Sequence, residues 1–180
     1  IQQAIEIRRS IRAYGDRPVE REKLEAVLRA GNQAPIFGRL HMSVFAGPEQ
    51  LQAVDAAAVA GMARSGVPFL ENLAAQEGYH PLYGAAALVV LSAPGGLDEK
   101  GFNMANVSCA AENMLLAAAG LGLGSCFLMG PMAAFSDPAL RARLELPGGY
   151  EPLVGVALGY AALERPVAPE RTDAGITWCR

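Results

Sequence analysis

Apolar positions recur at helical spacing in residues 1–9, where Ile1, Ala4 and Ile5 share a face and the basic residues gather at the end, complementing the helix dipole. Tyr14-Gly15-Asp16 breaks that helix. Pro18, with Glu20 and Glu22 in a first turn, predicts a second helix whose Leu24, Val27 and Leu28 form one apolar face, stopped by Gly31 and Pro35. Residues 42–46 read as a short strand ended by Gly47-Pro48. Residues 49–64 read as a helix with Leu51, Val54, Ala58 and Met62 on one side, and 66–81 as irregular or briefly helical.

The run Ala-Ala-Ala-Leu-Val-Val-Leu-Ser at 85–92 is continuously apolar and bounded by Gly84 and Pro94-Gly95-Gly96, the pattern of a strand buried on both faces. Residues 102–121 predict the longest helix, apolar on most of its circumference and therefore in need of cover nearly all round. A strand at 125–128 follows. Asp137 caps a helix with Pro138 at its first position, running to about 144, and Pro147-Gly148-Gly149 turns into a strand at 153–158. Residues 161–180 are a Pro-rich polar tail ending in Ile176, Thr177 and Trp178, and a lone Trp there needs a surface to bury against. No repeat, linker or low-complexity tract divides the chain, so the expectation is one α+β domain over 1–180.

Composition sharpens this picture. The chain has 180 residues, 52% hydrophobic and 18% charged, with mean hydropathy +0.20, which excludes a disordered chain. A domain of this size buries roughly 70% of the surface its unfolded chain exposes. The most apolar stretch, 103–130, is broken by Asn106, Ser108, Glu112, Asn113 and Ser125, too often for the roughly 20 apolar residues of a membrane span. No secretory signal opens the stretch beginning at Ile1. Net charge −3 argues against a nucleic-acid surface. Three cysteines without a C-x-x-C pairing fit a reducing cytoplasm better than a disulfide framework, and two distant histidines make a metal site improbable.

Among candidate chemistry, Arg8-Arg9-Ser10-Ile11-Arg12 gathers guanidinium forks and a hydroxyl, a plausible cradle for a phosphate dianion. A solvated basic helix end or an exposed kinase-type substrate sequence is the competing reading. Gly120-x-Gly122-x-Gly124 follows a helix and precedes a strand, the reverse of a dinucleotide fingerprint, so these glycines stop a helix and allow close packing. No serine sits in a nucleophile elbow, and nothing is arranged for hydrolysis.

In order along the chain, Arg8-Arg9-Ser10-Ile11-Arg12-Ala13-Tyr14, Pro18-Val19, Ala34-Pro35, Tyr83-Gly84-Ala85, the helix 110–118, Leu121-Gly122-Leu123-Gly124-Ser125-Cys126 and Leu158-Gly159-Tyr160 resemble the segments of the FMN-dependent nitroreductase family. The resemblance covers nearly the whole chain. It implies a mixed α+β sheet sandwiched by helices and an intertwined homodimer with two FMN molecules at the subunit interface. Residues 161–180 would then be an arm wrapping the partner.

By this resemblance Arg8, Ser10 and Arg12 match positions that hold the FMN phosphate, ribityl chain and N1/O2 edge, with Arg9 beside them. Leu128, Met129 and Gly130 fall where a strand end passes the isoalloxazine and a backbone N–H bonds N5. Arg171, with Arg165 as its rival, matches the arm's phosphate contact. The implied activity is hydride transfer from NADH or NADPH through flavin N5 to a small oxidised acceptor, nitroaromatic or quinone, by a ping-pong cycle in which the cofactor carries the chemistry.

The chain departs from the family at Pro35-Ile36-Phe37-Gly38-Arg39-Leu40-His41-Met42-Ser43, where many members read Pro-Ser-x-x-Asn-x-Gln-Pro-Trp. Polar contacts to the flavin's pyrimidine edge are replaced, with Arg39 offering a charge, or standing solvated, and Phe37 offering a ring. Alternatives are a flavin-binding protein without turnover, or another flavin reaction such as reductive dehalogenation or flavin breakdown. An obligate dimer would also absorb the apolar excess as a core shared between chains.

Overall fold

A computed structural model describes residues 1–95, 100–164, 166–167 and 175–179. Its frame is a four-stranded antiparallel sheet in the order β1-β2-β4-β3, formed by β1 (His41–Phe45), β2 (Ala87–Pro94), β3 (Gly124–Leu128) and β4 (Tyr150–Gly159). β2 sits inside the sheet and is fully buried from Ala87 to Leu91, as its unbroken apolar run demands. Strand alternation sends its side chains to two separate cores.

Leu88 and Val90 face a core shared with Leu51, Val54 and Ala58 of α3 (Pro48–Met62) and with Phe135. Ala87, Val89 and Leu91 face a second core with Val27 of α2 (Arg21–Asn32) and with Val107, Met114 and Leu115 of α5 (Lys100–Gly120). Helices therefore cover both faces of the sheet, the expected sandwich. The remaining helices are α1 (Gln2–Ile7), α4 (Pro68–Ala74), a 3₁₀ helix (Gly130–Ser136) and α6 (Pro138–Ala142). No described helix is long and apolar enough to cross a membrane.

Element boundaries differ from expectation for local reasons. α2 starts at Arg21, with Glu20 as its extended N-cap rather than a first-turn residue. β4 starts at Tyr150, ahead of the expected 153, because Tyr150 and Glu151 pair with Pro94 and Ala93 and lengthen the ladder. Asp137 caps α6 as expected, accepting from the N–H groups of Ala139 (2.8 Å) and Leu140 (3.1 Å).

α5 is apolar nearly all round, yet in a single chain it is not covered all round. Phe102, Ala105, Cys109 and Glu112 form an exposed stripe along it, with Phe102 67% exposed. Trp178 and Ile176 of the tail are also exposed, at 84% and 72%, finding no cover among the described residues.

Candidate functional site

The stretch from Arg8 to Tyr14 leaves α1 as an extended segment and lies along β3. Ser10 forms a parallel bridge with Ser125, and the Ile11 N–H donates to the Ser125 carbonyl at 2.9 Å. Alternation then turns Ile11 and Ser10/Arg12 to opposite sides. Ile11 is buried against Gly124, where an added Cβ would stand 3.0 Å from its Cγ1, so a larger residue there would push the Ile11 side chain back by a few tenths of an ångström.

On the other side, Ser10 lies within hydrogen-bond reach of Cys126 of β3, and the Arg12 and Arg8 charges act on the same thiol. Burial pushes the Cys126 thiol up, while the Arg12 charge, a hydrogen bond with Ser10 and the Arg8 charge pull it down. Two expected arginines and the expected serine thus all influence one side chain, two residues before Leu128. They differ in how they are held. Arg8 Nε pairs with Glu112 of α5 at 3.3 Å, whereas Arg12 is exposed and has neither ion pair nor hydrogen bond among the described residues.

Arg9 turns elsewhere. Its Nη1 donates to the carbonyls of Glu6 (2.7 Å) and Arg8 (2.6 Å), and its buried Nε has no partner among the described residues. At the far end of β3, Leu128 is buried, Met129 is the exposed N-cap of the 3₁₀ helix and Gly130 its first residue, where helix amides lack an internal acceptor.

The loop after α2 hangs from a different place. Phe37 donates its N–H to Asn106 Oδ1 at 3.0 Å, and Asn106 Nδ2 donates back to the Phe37 carbonyl at 2.5 Å. Pro35 and Arg39 are exposed, Ile36 is half-buried, and the Phe37 ring projects outward, 84% exposed, 6.5 Å from the ring of Phe102. Arg171 and its rival Arg165 lie outside the described residues.

Arg12 also borders a cavity of about 890 Å³ walled by Tyr14, Asp55, Tyr79, His80 and Tyr83. Asp55 braces it, accepting from His80 Nδ1 at 2.7 Å and from the Leu82 N–H at 2.8 Å. Tyr83 holds a left-handed backbone, φ 56°, a strained setting for a bulky residue. The Tyr79 phenol is pushed up to about 12 by burial, then by its hydrogen bond with Tyr83 and the nearby Tyr83 and Asp55 groups, against the opposing Arg12 charge.

Nothing in the sequence pattern singles out Glu112, Asn106 or this cavity. The only trace was that Asn106 and Glu112 interrupt an otherwise apolar helix, a costly place for polar groups that lack partners.

The model of the Nitroreductase family matches residues 5–160. The chain belongs to the nitroreductase family. A provisionally named NADH dehydrogenase/NAD(P)H nitroreductase of Archaeoglobus fulgidus is 32% identical over 163 residues, spanning 88% of this chain and 83% of that protein. The crystal structure of a nitroreductase with bound FMN from Bacteroides fragilis superposes with a TM-score of 0.84 at 30% identity, covering 99% of this chain and 98% of that one. One from Desulfitobacterium hafniense, also with bound FMN, shares the fold at a TM-score of 0.82 and 23% identity, with 97% of each chain covered. The nitroreductase assignment matches the order of segments from Arg8 to Tyr160.

Proposed function

We propose that this nitroreductase-family chain is an FMN-dependent NAD(P)H oxidoreductase acting as a homodimer on a nitroaromatic or quinone acceptor. The observation that carries the reading is the laying of the Arg8–Arg12 segment along β3, the strand whose far end leads into the Met129 and Gly130 amides. That donor set fits a phosphate-bearing polyol cofactor. It offers two guanidinium groups and a hydroxyl; Arg8 is paired with Glu112, and Arg12 has no ion pair among the described residues.

When bound, FMN supplies two-electron redox chemistry at N5. Arg8 and Ser10 hold the phosphate and ribityl chain. Arg12 places positive charge at the N1/O2 edge, where reduction accumulates negative charge, and the Gly130 region offers a backbone donor at N5. No side chain acts as nucleophile.

The dimer is supported by what one chain leaves uncovered: the α5 stripe, Ile5, Phe37, Phe102 and Trp178. The test is direct. Purified protein should carry a yellow flavin spectrum that NADH or NADPH bleaches without oxygen, and should elute as a dimer at low concentration. Colourless protein that FMN cannot reconstitute would sink the reading. Bound FMN that stays oxidised under both nicotinamides would instead favour flavin binding without turnover.

A further inference from the structure

We infer that Asp55 is a positioning residue for His80, and that the pair gives the cavity beside Arg12 a second positive charge, switched by pH, that tunes how readily a bound flavin is reduced. This deepens the proposed function and rests on it, since Arg12 marks the flavin's N1/O2 edge only under that reading. Three observations carry it. First, the Asp55 side chain of α3 is 15% exposed and spends both oxygens on the stretch that carries His80. Its Oδ2 meets His80 Nδ1 at 2.7 Å, and its Oδ1 accepts from the Leu82 N–H at 2.8 Å. With Nδ1 taken, Nε2 is where the ring gains or loses its proton. Second, His80 and Arg12 wall the same cavity of about 890 Å³. The Asp55 and Arg12 charges both act on the phenol of Tyr79, the residue before His80. Third, the chain after His80 is held in a strained course, Tyr83 at φ 56° and Gly84 at φ 76°, with the Tyr83 N–H returning to the His80 carbonyl at 2.9 Å. The cavity lies on the α3 side of the sheet, where Tyr14, Leu51 and Leu82 pack, whereas α5 packs on the other side.

The two cations differ in kind. A guanidinium keeps its charge at every working pH, whereas an imidazole gains its own between about pH 8 and 5. The groups lining the cavity with His80 are Asp55 from α3, Arg12 and Asp16 from the 8–16 segment, and Glu77, Tyr79 and Tyr83 from its own stretch. The carboxylates favour the charged ring and Arg12 opposes it, while the Tyr79 phenol, pushed up to about 12 by burial first, keeps its proton throughout. Negative charge gathering at the N1/O2 edge on reduction attracts the imidazolium, and by reciprocity strengthens the ring's hold on its proton. Reduction by hydride from NAD(P)H, which leaves as NAD(P)⁺, therefore draws one proton from water onto His80 Nε2. Passing the two electrons on to the acceptor returns that proton to water.

The experiment is a titration of FMN-loaded protein with dithionite against a reference dye, which reads the flavin's midpoint potential without turnover. At pH 6, His80→Gln should weaken the binding of reduced relative to oxidised FMN about tenfold, the scale of two charges across a partly solvated site and a fall of about 30 mV for a two-electron couple. At pH 9, beyond the range in which imidazoles carry charge, the difference should shrink to less than about twofold. His80→Lys, a charge that persists, should match wild type at pH 6 and exceed it at pH 9. Asp55→Asn keeps an oxygen for the Leu82 N–H but loses the charge, and should lower the potential at pH 6, which a role confined to holding the fold would not do. A His80→Gln potential equal to wild type at pH 6, or displaced as far at pH 9 as at pH 6, overturns the inference. An Asp55→Asn protein that keeps the wild-type dependence of potential on pH overturns the positioning role. These outcomes are read on protein that holds FMN, so they leave the parent reading standing. A wild-type protein that takes up no FMN removes both.

Discussion

Two regions of the candidate site are built on different principles. The 8–14 segment is laid onto the sheet by backbone bonds: Ile11 to Ser125, Tyr14 to Tyr83 at 3.3 Å, Gly15 to Tyr160 at 2.9 Å, and Ala162 back to Ala13 at 3.0 Å. The 35–40 loop hangs from the side chain of Asn106. A backbone-held segment keeps its course whatever its outward side chains are, so Arg8, Ser10 and Arg12 are free to be chosen for their chemistry. A loop held by one side chain depends on a distant residue and is free to change its own. The segment that resembles the family at Arg8, Ser10 and Arg12 is the backbone-held one, and the loop that departs from that resemblance is the one hung from a side chain.

The sharpest way to break the sheet-held region is from beneath. Gly61 of α3 packs on the 3₁₀ helix so closely that an added Cβ would overlap the Ala133 carbonyl oxygen. Gly61→Ala should therefore force α3 and the 3₁₀ helix apart and cost about 3 kcal/mol, at the upper end of overpacking. For a chain of this size that is a fall in Tm of roughly 6–12 °C by calorimetry. The Met129 and Gly130 amides ride on the same helix, so flavin binding should weaken with it. A wild-type melt would mean that this contact is soft.

Arg12→Ala separates chemistry from scaffold. The side chain is exposed and unpartnered among the described residues, so the apoprotein should melt within about 0.5 kcal/mol of wild type. FMN binding, followed by quenching of flavin fluorescence, should weaken by roughly 1.5 to 3 kcal/mol, the value of a charge-assisted contact. An unchanged affinity would show that Arg12 is not a cofactor ligand.

The hanging loop should respond differently. Asn106→Ala removes two hydrogen bonds and leaves Phe37 backbone groups to find water, a cost of about 1 to 2 kcal/mol by chemical denaturation. Phe37→Ser, which removes only an exposed ring, should change the stability of a single chain by less than about 0.5 kcal/mol. Equal costs for the two would mean that the ring, not the latch, holds the loop.

The same contrast explains what was legible in the sequence. β2 announces itself because burial on both faces from Ala87 to Leu91 leaves no polar position there to confuse the pattern, α5 because its long apolar run outweighs a few polar interruptions, and the order of segments from Arg8 to Tyr160 carries the family. The 3₁₀ helix at Gly130–Ser136 has too few residues for any period to show, and α4 is likewise short. Asn106 with Phe37, Arg8 with Glu112 and Asp55 with His80 join residues that only the fold brings together, so neighbouring sequence carries no trace of the pairing. The cover that 102–121 demands is only partly found within one chain. The stripe from Phe102 to Glu112 remains open among the described residues, which is where the apolar excess in the composition comes to the surface.

The smallest expected effect concerns where the tail leaves the sheet-held region. Tyr160 donates its hydroxyl hydrogen to Glu20 Oε2 at 2.6 Å and accepts from Lys23 Nζ at 2.7 Å, while the Arg17 guanidinium lies 4.0 Å from its ring centroid. The Tyr160 hydroxyl, then the Glu20 backbone and Arg17, hold the Glu20 carboxyl down at about 2. A carboxylate lowered in the folded state contributes stability that is complete above its unfolded pKa of about 4.3 and disappears as pH falls from there toward 2. Because Glu20 is solvent-facing, salt should shrink the effect. Tyr160→Phe removes the leading cause, so the acid limb of its stability curve should be flatter than that of wild type between pH 4.5 and 2.5, with the difference fading in 0.5 M salt. Parallel acid limbs would show that the clasp at the root of the tail is held by packing of Arg17 on the Tyr160 ring rather than by the charge of Glu20.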